Sequence, residues 1–248
     1  MANFFDKIFG KKKKLPTDID ARLAELHAQL SGKLAYTALG GGTCKVTGRG
    51  EHRSTKIEFP EEIDGLKVVA IDADAFSGDT GLYDVTVPGS VTEIAEGTFA
   101  ECENLGKVTL CDGVRTIGKK AFSECKKLKK IVIPESVTEI GFGAFENCEE
   151  AEEITLPKGI AKIEPFAFYE CYALKSMEIP EGVAEIGERA FESCGFSEIT
   201  IPRGVKNIGK NAFESCANLS TVTVPAGTEF IGEGAFKGCT ALETVSLP

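Results

Sequence analysis

Seven cysteines recur at an almost constant interval, and this period constrains the fold more than any other feature of the chain. Successive members are 23 residues apart, with one interval of 22, and the series is Cys102, Cys125, Cys148, Cys171, Cys194, Cys216 and Cys239. A phenylalanine precedes each cysteine by three residues, and an isoleucine precedes each phenylalanine by five. A fixed period in the twenties is typical of a solenoid, in which no coil can bury its apolar face alone. The sequence therefore predicts stacked coils.

Each coil contains a short segment of alternating apolar and polar residues, usually followed by proline. Residues 199–201 (Ile-Thr-Ile) before Pro202 are an example. This alternation predicts a half-buried strand, which proline ends because it lacks a ladder donor. A Val-x-x-Ile pair follows, and we expect the glycine that often comes next to adopt an unusual backbone angle. The Ala-Phe-x-x-Cys segment predicts one tight helical turn, since its Phe and Cys would share a face.

The cysteines would take one inward position in each coil. Nine cysteines in the chain would suggest disulfides in a small secreted protein, but seven at a single structural position favour a buried column of reduced thiols. Because burial raises the pKa of a thiol and hinders access to it, we expect these cysteines to be slow to react while the chain is folded. Their parallel direction disfavours bridges between neighbouring coils.

The block from Ile133 to Gly141 reads Ile-Pro-Glu-Ser-Val-Thr-Glu-Ile-Gly and is followed by Ala144-Phe145 and Cys148. It resembles the BspA-like leucine-rich repeats of bacterial proteins, and the similarity runs from about Ile57 to Pro248. The resemblance implies a curved, right-handed solenoid with one parallel sheet. It also implies a binding role, because members of this family are often surface proteins that attach to host proteins or other cells.

These patterns divide the chain into four parts. We expect a basic and apolar tail at 1–16, a capping helix at 17–32, a β cap at 33–60 and a solenoid of about eight coils at 61–248. The helix follows from the N-cap signal Thr17-Asp18 and an apolar stripe at helical spacing; we expect it to cover the first coil, with dimerisation as the alternative. The segment 34–50 predicts a strand pair around three glycines. The absence of a cap after the last strand and its proline, residues 245–248, indicates either a truncated chain or an end that meets another molecule.

The N-terminal tail combines an apolar helical face with a run of lysines. The apolar residues are Phe4, Phe5, Ile8 and Phe9, and the lysines are Lys11, Lys12, Lys13 and Lys14. This combination predicts a weak tether to a membrane surface or a partner. The alternative is a frayed, solvated tail.

The outward side chains of the predicted sheet are the candidate binding residues. They are Asp84, Thr86, Lys107, Thr109, Lys130, Val132, Glu153, Thr155, Ser176, Glu178, Glu198, Thr200, Thr221 and Thr223. Solenoids commonly bind partners through such a surface, so we expect a non-catalytic scaffold that binds another protein. The alternative is that threonine simply suits a half-exposed strand.

The chemistry of the chain argues against other classes of function. A formal charge of −10 opposes general nucleic-acid binding. His27 and His52 lie outside the regular repeats, which disfavours a Cys–His nucleophile pair, and a column of cysteines cannot form a tetrahedral zinc site. We therefore expect no enzyme activity, metal or cofactor. The alternatives are an accessory or targeting domain of a longer enzyme and an intracellular scaffold tethered by its N-terminal segment.

The residue pattern and the family resemblance imply different cellular locations. No apolar run reaches the length of a membrane span, and residues 1–14 lack the core of a signal peptide, which favours the cytoplasm. The resemblance instead implies the cell surface or secretion.

The most basic stretch, 107–130, carries eight basic and two acidic residues. Adding 23 to Lys126, Lys127, Lys129 and Lys130 gives Glu149, Glu150, Glu152 and Glu153. Because equivalent residues of adjacent coils lie about 4.8 Å apart, we predict ion pairs between the two sets. The alternative is a docking site for an acidic partner.

Overall fold

The computed structural model describes residues 32–246, which form nineteen strands, numbered here in chain order. Strands β1 (Ala35–Gly40) and β2 (Thr43–Gly48) pair antiparallel around three glycines with positive φ, which confirms the predicted strand pair. From β2 onward the chain winds into coils joined mainly by parallel ladders. The predicted capping helix lies outside the described residues apart from Gly32, and the predicted tail lies wholly outside them.

One side of the solenoid, called the strand face, consists of the predicted alternating segments. Its strands are β3 (Lys56–Glu58), β6 (Asp84–Val87), β8 (Lys107–Leu110), β10 (Lys130–Val132), β12 (Glu153–Thr155), β15 (Glu198–Thr200), β17 (Thr221–Thr223) and β19 (Thr244–Ser246). Neighbouring coils pair in the register of the repeat, with Ile131 opposite Ile154. The middle residue of each segment points inward, so the coils share one core.

A second set of strands runs along the Val-x-x-Ile segments. It comprises β4 (Glu62–Ile63), β5 (Leu66–Ile71), β7 (Glu93–Ile94), β9 (Thr116–Ile117), β11 (Glu139–Ile140), β13 (Lys162–Ile163), β14 (Glu185–Ile186), β16 (Asn207–Ile208) and β18 (Phe230–Ile231). Except for the antiparallel pair β4–β5, these strands pair in parallel. The expectation of one parallel sheet is therefore wrong: the coil has two strand-forming sides, because the isoleucine pair also has ladder partners one repeat away.

The strand face is interrupted in the coil that contains residues 176–178. These residues keep the exposed–buried–exposed pattern but form no strand, so β3–β12 and β15–β19 form separate sheets. Two sequence departures coincide with the break. Met177 replaces the β-branched residue that suits a strand, and the following coil is one residue short before Glu198.

The Ala-Phe-x-x-Cys segments form hydrogen-bonded turns, and residues 32–246 contain no helix. The predicted helical turn is therefore wrong. In the turn around Phe99, the amides of Ala100 and Cys102 bond within the turn, whereas the amide of Phe99 donates to the carbonyl of Ala121 on the next coil at 2.9 Å. Glu101 has a φ of 59°, so the helical path is broken before the cysteine. We call this third side the turn face.

The core consists of stacked layers of equivalent side chains. Phenylalanine rings from Phe76 to Phe236 form a continuous stack with centroid separations such as 5.4 Å between Phe122 and Phe145. Beside this stack lie the seven repeated cysteines from Cys102 to Cys239, called the ladder cysteines. The Sγ of each donates to a phenylalanine carbonyl of the preceding coil, as from Cys148 to Phe122 at 3.3 Å. The repeat thus places a ring and a thiol in each layer.

The glycine after the isoleucine is required for close approach between coils rather than for an unusual backbone angle. A Cβ placed on Gly141 would lie 2.7 Å from the amide nitrogen of Lys119. A Cβ on Gly209 would lie 2.5 Å from the carbonyl carbon of Gly187. Neither glycine has a positive φ, so the sequence expectation is corrected.

Candidate functional site

The outward side chains of the strand face form a row along the solenoid. All fourteen predicted binding residues lie in this row: twelve are exposed, whereas Asp84 and Thr86 are half-buried. Ser176 and Glu178 also point outward, although their segment is not assigned to a strand. The alternation of the sequence therefore gives the correct outward positions. That these side chains bind a partner stays a prediction.

A shallow hollow of about 820 Å³ lies on the strand face between residues 106–112 and 129–134. Lys107, Thr109 and Val132 contribute to its lining, and Val132 is 54% exposed. Cys111 also lines the hollow; it replaces the proline that ends the strand in the other coils, and it is half-buried. An apolar side chain could enter this hollow while a flanking acidic or polar group meets the lysine.

Opposite charges meet between several neighbouring coils of the strand face, although the register partners Lys107 and Lys130 carry the same sign. A carboxylate oxygen of Asp84 lies 3.9 Å from Nζ of Lys56 and 4.0 Å from Nζ of Lys107. Lys130 donates to Glu153 at 2.7 Å. These exposed pairs each contribute about 0.2–1 kcal/mol, so they leave the face with mixed polarity rather than a single sign.

The predicted ladder of four lysine–glutamate pairs is formed at only one position. Lys130 contacts Glu153 as expected, but Lys126 contacts Glu103 of the preceding coil at 2.9 Å and Lys129 contacts Glu150 at 3.7 Å. Lys127 donates to the side-chain oxygen of Asn104 at 2.8 Å. Within residues 32–246, the other three predicted pairs do not come within 4.0 Å. A lysine has equivalent neighbours on both adjacent coils, and the period alone does not choose between them.

The cysteine column is chemically protected. Cys125, Cys148 and Cys194 are buried, and burial raises their thiol pKa well above the ordinary value. Burial raises the pKa of Cys171 to about 12. No disulfide is formed by the cysteines of the described residues. A neutral, enclosed thiol is a poor nucleophile, so this column is part of the core.

Histidine and metal chemistry find little support in the described structure. The ring nitrogens of His52 lie 3.4 Å from the carbonyl oxygen of Gly32 and 3.2 Å from that of Lys56, while His27 lies outside the described residues. Between residues 32 and 246, no group of three or more His, Cys, Asp or Glu side chains is arranged to hold a metal ion. The same residues include no helix long and apolar enough to cross a membrane.

A cluster of aromatic side chains on the turn face was missed by the sequence reasoning. We call Phe142, Phe166, Tyr169 and Tyr172 the aromatic patch. The ring centroid of Phe166 lies 5.2 Å from that of Phe142 and 5.6 Å from that of Tyr169. Phe142 is 37% exposed and Tyr172 is 49% exposed. Comparison of equivalent positions among coils would have revealed the cluster, because no other coil carries so many outward aromatic residues.

Glu170 lies between the two tyrosines of the patch. A hydrogen bond with this carboxylate raises the pKa of Tyr169 to about 12. Burial, followed by the hydrogen bond with Glu170, raises the pKa of Tyr172 to about 12. The guanidinium of Arg189 lies 6.0 Å from the ring centroid of Phe166 and also contacts Glu192 at 3.1 Å.

Comparison with known proteins places this geometry among bacterial repeat proteins. A family model described as a BspA type leucine rich repeat region matches residues 52–173 and 138–248, in six copies. A leucine-rich repeat protein from T. pallidum is 30% identical, with a TM-score of 0.59 and coverage of 84% of this chain and 87% of that one. Another, from Bacteroides ovatus, is 26% identical, with a TM-score of 0.55 and coverage of 86% and 69%, respectively. A search of curated proteins gave no match.

Proposed function

Because the chain belongs to the BspA-type leucine-rich repeat family, we propose that it is a non-catalytic scaffold that binds another protein through its strand face. The observation that carries this proposal is the row of exposed polar side chains, interrupted by the hollow at Val132. Threonine hydroxyls and mixed charges can satisfy the polar rim of an interface, and the hollow can accept an apolar anchor.

The dimensions of the face limit how a partner can bind. Nine coils at about 4.8 Å spacing give a row about 38 Å long, and three residues give a width of about 10 Å. The projected area is therefore about 400 Å², whereas one partner in a stable complex commonly buries about 800 Å². A partner that binds tightly must also contact the segments flanking the strands, including the Cys111 edge of the hollow.

The non-catalytic part of the proposal rests on the chemistry of the described residues. The ladder thiols from Cys102 to Cys216 are enclosed in the core, whereas Cys239 is half-buried. The ring nitrogens of His52 lie within hydrogen-bond distance of two backbone carbonyls. Within the described residues, His52 therefore forms no base–nucleophile pair of the kind needed for covalent catalysis. These contacts support a structural role for both residue types.

The binding proposal can be tested by adding charge and bulk to the row. We expect Thr109→Lys, Thr155→Lys and Thr200→Lys, combined in one variant, to abolish capture of a specific partner by the immobilised chain. A matched variant carries Thr80→Lys, Thr92→Lys and Thr138→Lys, which change exposed threonines away from the strand face. Capture by this control should persist. Equal capture by both variants would contradict binding through the strand face.

The N-terminal tail and the cellular location remain further proposals. Phe4, Phe5, Ile8, Phe9 and the lysines at 11–14 stay candidates for a membrane-surface or partner tether, and all lie outside the described residues. Family resemblance favours attachment at the cell surface. Protease treatment of intact cells tests that location: rapid loss of the chain supports surface exposure, and full protection contradicts it.

A further inference from the structure

The aromatic patch is unlike the corresponding surface of the other coils. At the position of Phe166 the other coils carry Asp74, Gly97, Lys120, Gly143, Arg189, Asn211 and Gly234. At the position of Tyr172 they carry Thr80, Glu103, Lys126, Glu149, Gly195, Ala217 and Thr240. Every coil forms the same turn with these small or polar residues. The solenoid therefore does not require aromatic side chains at either position.

The backbone sets the same turn in every coil. Phe166 has a φ of 59°, and the equivalent residues Asp74, Lys120, Arg189 and Asn211 have φ angles between 52° and 55°. Gly97, Gly143 and Gly234 are left-handed as well. A left-handed backbone disfavours a bulky aromatic residue, so the turn itself does not account for the ring of Phe166.

The patch lies in the most acidic part of the chain. Residues 146–192 contain twelve acidic and four basic residues. Glu170 lies beside both tyrosines, and the charge of Arg189 is engaged by Glu192 at 3.1 Å. The surface thus combines aromatic faces with an excess of carboxylates. Its complement is a segment that carries both apolar side chains and cations, which can meet the aromatic rings and the carboxylates.

We propose that residues 4–14 of this chain dock intramolecularly on the aromatic patch. This segment combines the two kinds of side chain: Phe4, Phe5, Ile8 and Phe9 supply the apolar part, and Lys11–Lys14 supply the cations. The segment itself lies outside the described residues. Its composition and the charge of the patch carry the proposal.

The connecting chain is long enough for this contact. Lys14 lies 18 positions before Gly32. Such a segment spans at most about 60 Å when extended at about 3.3–3.6 Å per residue, and about 27 Å as a helix at about 1.5 Å per residue. The coil of β2 is five steps from that of Phe166, through β5, β7, β9 and β11. At about 4.8 Å per step, the axial separation is about 24 Å. The contact can therefore form within one molecule.

Docking would hide the same side chains that could bind a membrane surface. The aromatic and aliphatic residues of 4–9 cannot lie against the patch and insert among lipid headgroups together. The patch would thus control access to the N-terminal segment. Weakening the patch should release the segment and increase any binding to anionic vesicles.

Photo-crosslinking in the full chain tests the contact directly. With p-benzoylphenylalanine at Phe5, we expect irradiation at low protein concentration to yield a crosslinked monomer. Trypsin should release adducts on the peptides 131–158 and 163–175, which contain the patch. The double variant Phe142→Ser/Tyr172→Ser should lower the yield about tenfold, because two aromatic contacts are lost.

The matched control is Leu39→Ser/Tyr83→Ser, which changes two comparably exposed apolar residues outside the patch. Its crosslink yield should equal that of the parent, and circular dichroism should show that both variants remain folded. Adducts scattered along the solenoid, or a yield insensitive to the patch variant, would overturn the proposal. Crosslinked dimers in place of monomers would also overturn it, since the occupant would then be a second copy.

Vesicles of phosphatidylcholine with a minor fraction of phosphatidylglycerol separate docking from a membrane tether. The patch variant should co-sediment with them more strongly than the control variant. Equal co-sedimentation of the two, without patch adducts, would show that the segment serves the membrane surface alone.

Discussion

The Sγ of Cys125 donates a hydrogen bond to the carbonyl oxygen of Phe99, 26 residues earlier, at 3.2 Å. That oxygen also accepts from the backbone amide of Cys102 at 3.3 Å. One carbonyl thus links the turn of its own coil to the thiol of the next. The contact recurs from Cys102 to Cys239, so the cysteines connect layers by hydrogen bonds without forming disulfides.

Removing one thiol from the middle of the column should destabilise the chain. We expect Cys148→Ala to lower the free energy of unfolding by about 1–2 kcal/mol, through lost burial and a lost bond to the carbonyl of Phe122. Urea unfolding followed by circular dichroism measures the change. Cys111→Ala is the control because Cys111 is half-buried and lies outside the column. Equal losses in both variants would argue against a special contribution of the thiol ladder.

Thiol labelling should distinguish the same two environments. In the folded chain at pH 8, we expect Cys111 to react with Ellman's reagent before the buried ladder cysteines from Cys102 to Cys216, since it is half-buried and borders the open hollow. Burial raises the pKa of Cys171 to about 12 from 9.0, which lowers its thiolate fraction about a thousandfold. Mass spectrometry of the labelled peptides identifies the order. Early modification of Cys148 or Cys171 in the folded chain would contradict the buried column.

Alkaline pH should weaken the fold through these cysteines. The pKa of Cys171 is about 12 in the folded chain against 9.0 for an ordinary thiol, so the unfolded chain loses its proton first. The associated stability is fully present below pH 9 and is lost as pH rises from 9 toward 12. The slope is up to about 1.4 kcal/mol per pH unit for each such cysteine.

Urea midpoints measured between pH 8 and 10 test this dependence. The double variant Cys148→Ala/Cys171→Ala should start from a lower stability and lose less of it over that range. Parallel curves for parent and variant would show that other groups, such as lysines and tyrosines, cause the alkaline loss.

The repeat predicted the solenoid because each inward position recurs in every coil. Ile131 and Ile154 both pointed inward in the pattern and are opposite one another in the structure. The second strand-forming side was missed because a two-residue segment such as Glu139–Ile140 carries too little alternation to predict a strand. The helical turn was wrong because the amide of Phe99 bonds to the next coil, a contact that local spacing does not reveal.

The candidate site was predictable only in part. Alternation gave the outward positions of Thr109 and Thr155, but it could not locate a hollow formed by two adjacent coils. The partner of Lys126 was assigned to the wrong neighbour because Glu103 and Glu149 are equivalent in the repeat. The aromatic patch was missed because the prediction used the residues that recur in every coil. Phe166 and Tyr172 occur in one coil only, at positions where the other coils carry small or polar residues.

The last prediction concerns the glycines that follow the repeated isoleucines, among them Gly141 and Gly209, where adjacent coils approach closely. We call these residues the glycine column. A Cβ on Gly209 would lie 2.5 Å from the carbonyl carbon of Gly187 and 2.6 Å from the amide nitrogen of Glu188. Both atoms belong to the backbone of the preceding coil and cannot rotate away. We therefore expect Gly209→Ala to lower the free energy of unfolding by about 1–3 kcal/mol, the range for overpacked sites. Urea unfolding measures this loss.

Gly159→Ala is the matched control for that substitution. The nearest atoms to a Cβ at Gly159 are 3.9 Å away, and its φ is not in the left-handed region. Alanine there should leave stability unchanged or raise it by about 0.4–1 kcal/mol, since it restricts the unfolded chain. A large loss at Gly159, or none at Gly209, would show that spacing between coils adjusts to an added methyl group. The glycine column would then reflect turn preference rather than contact between backbones.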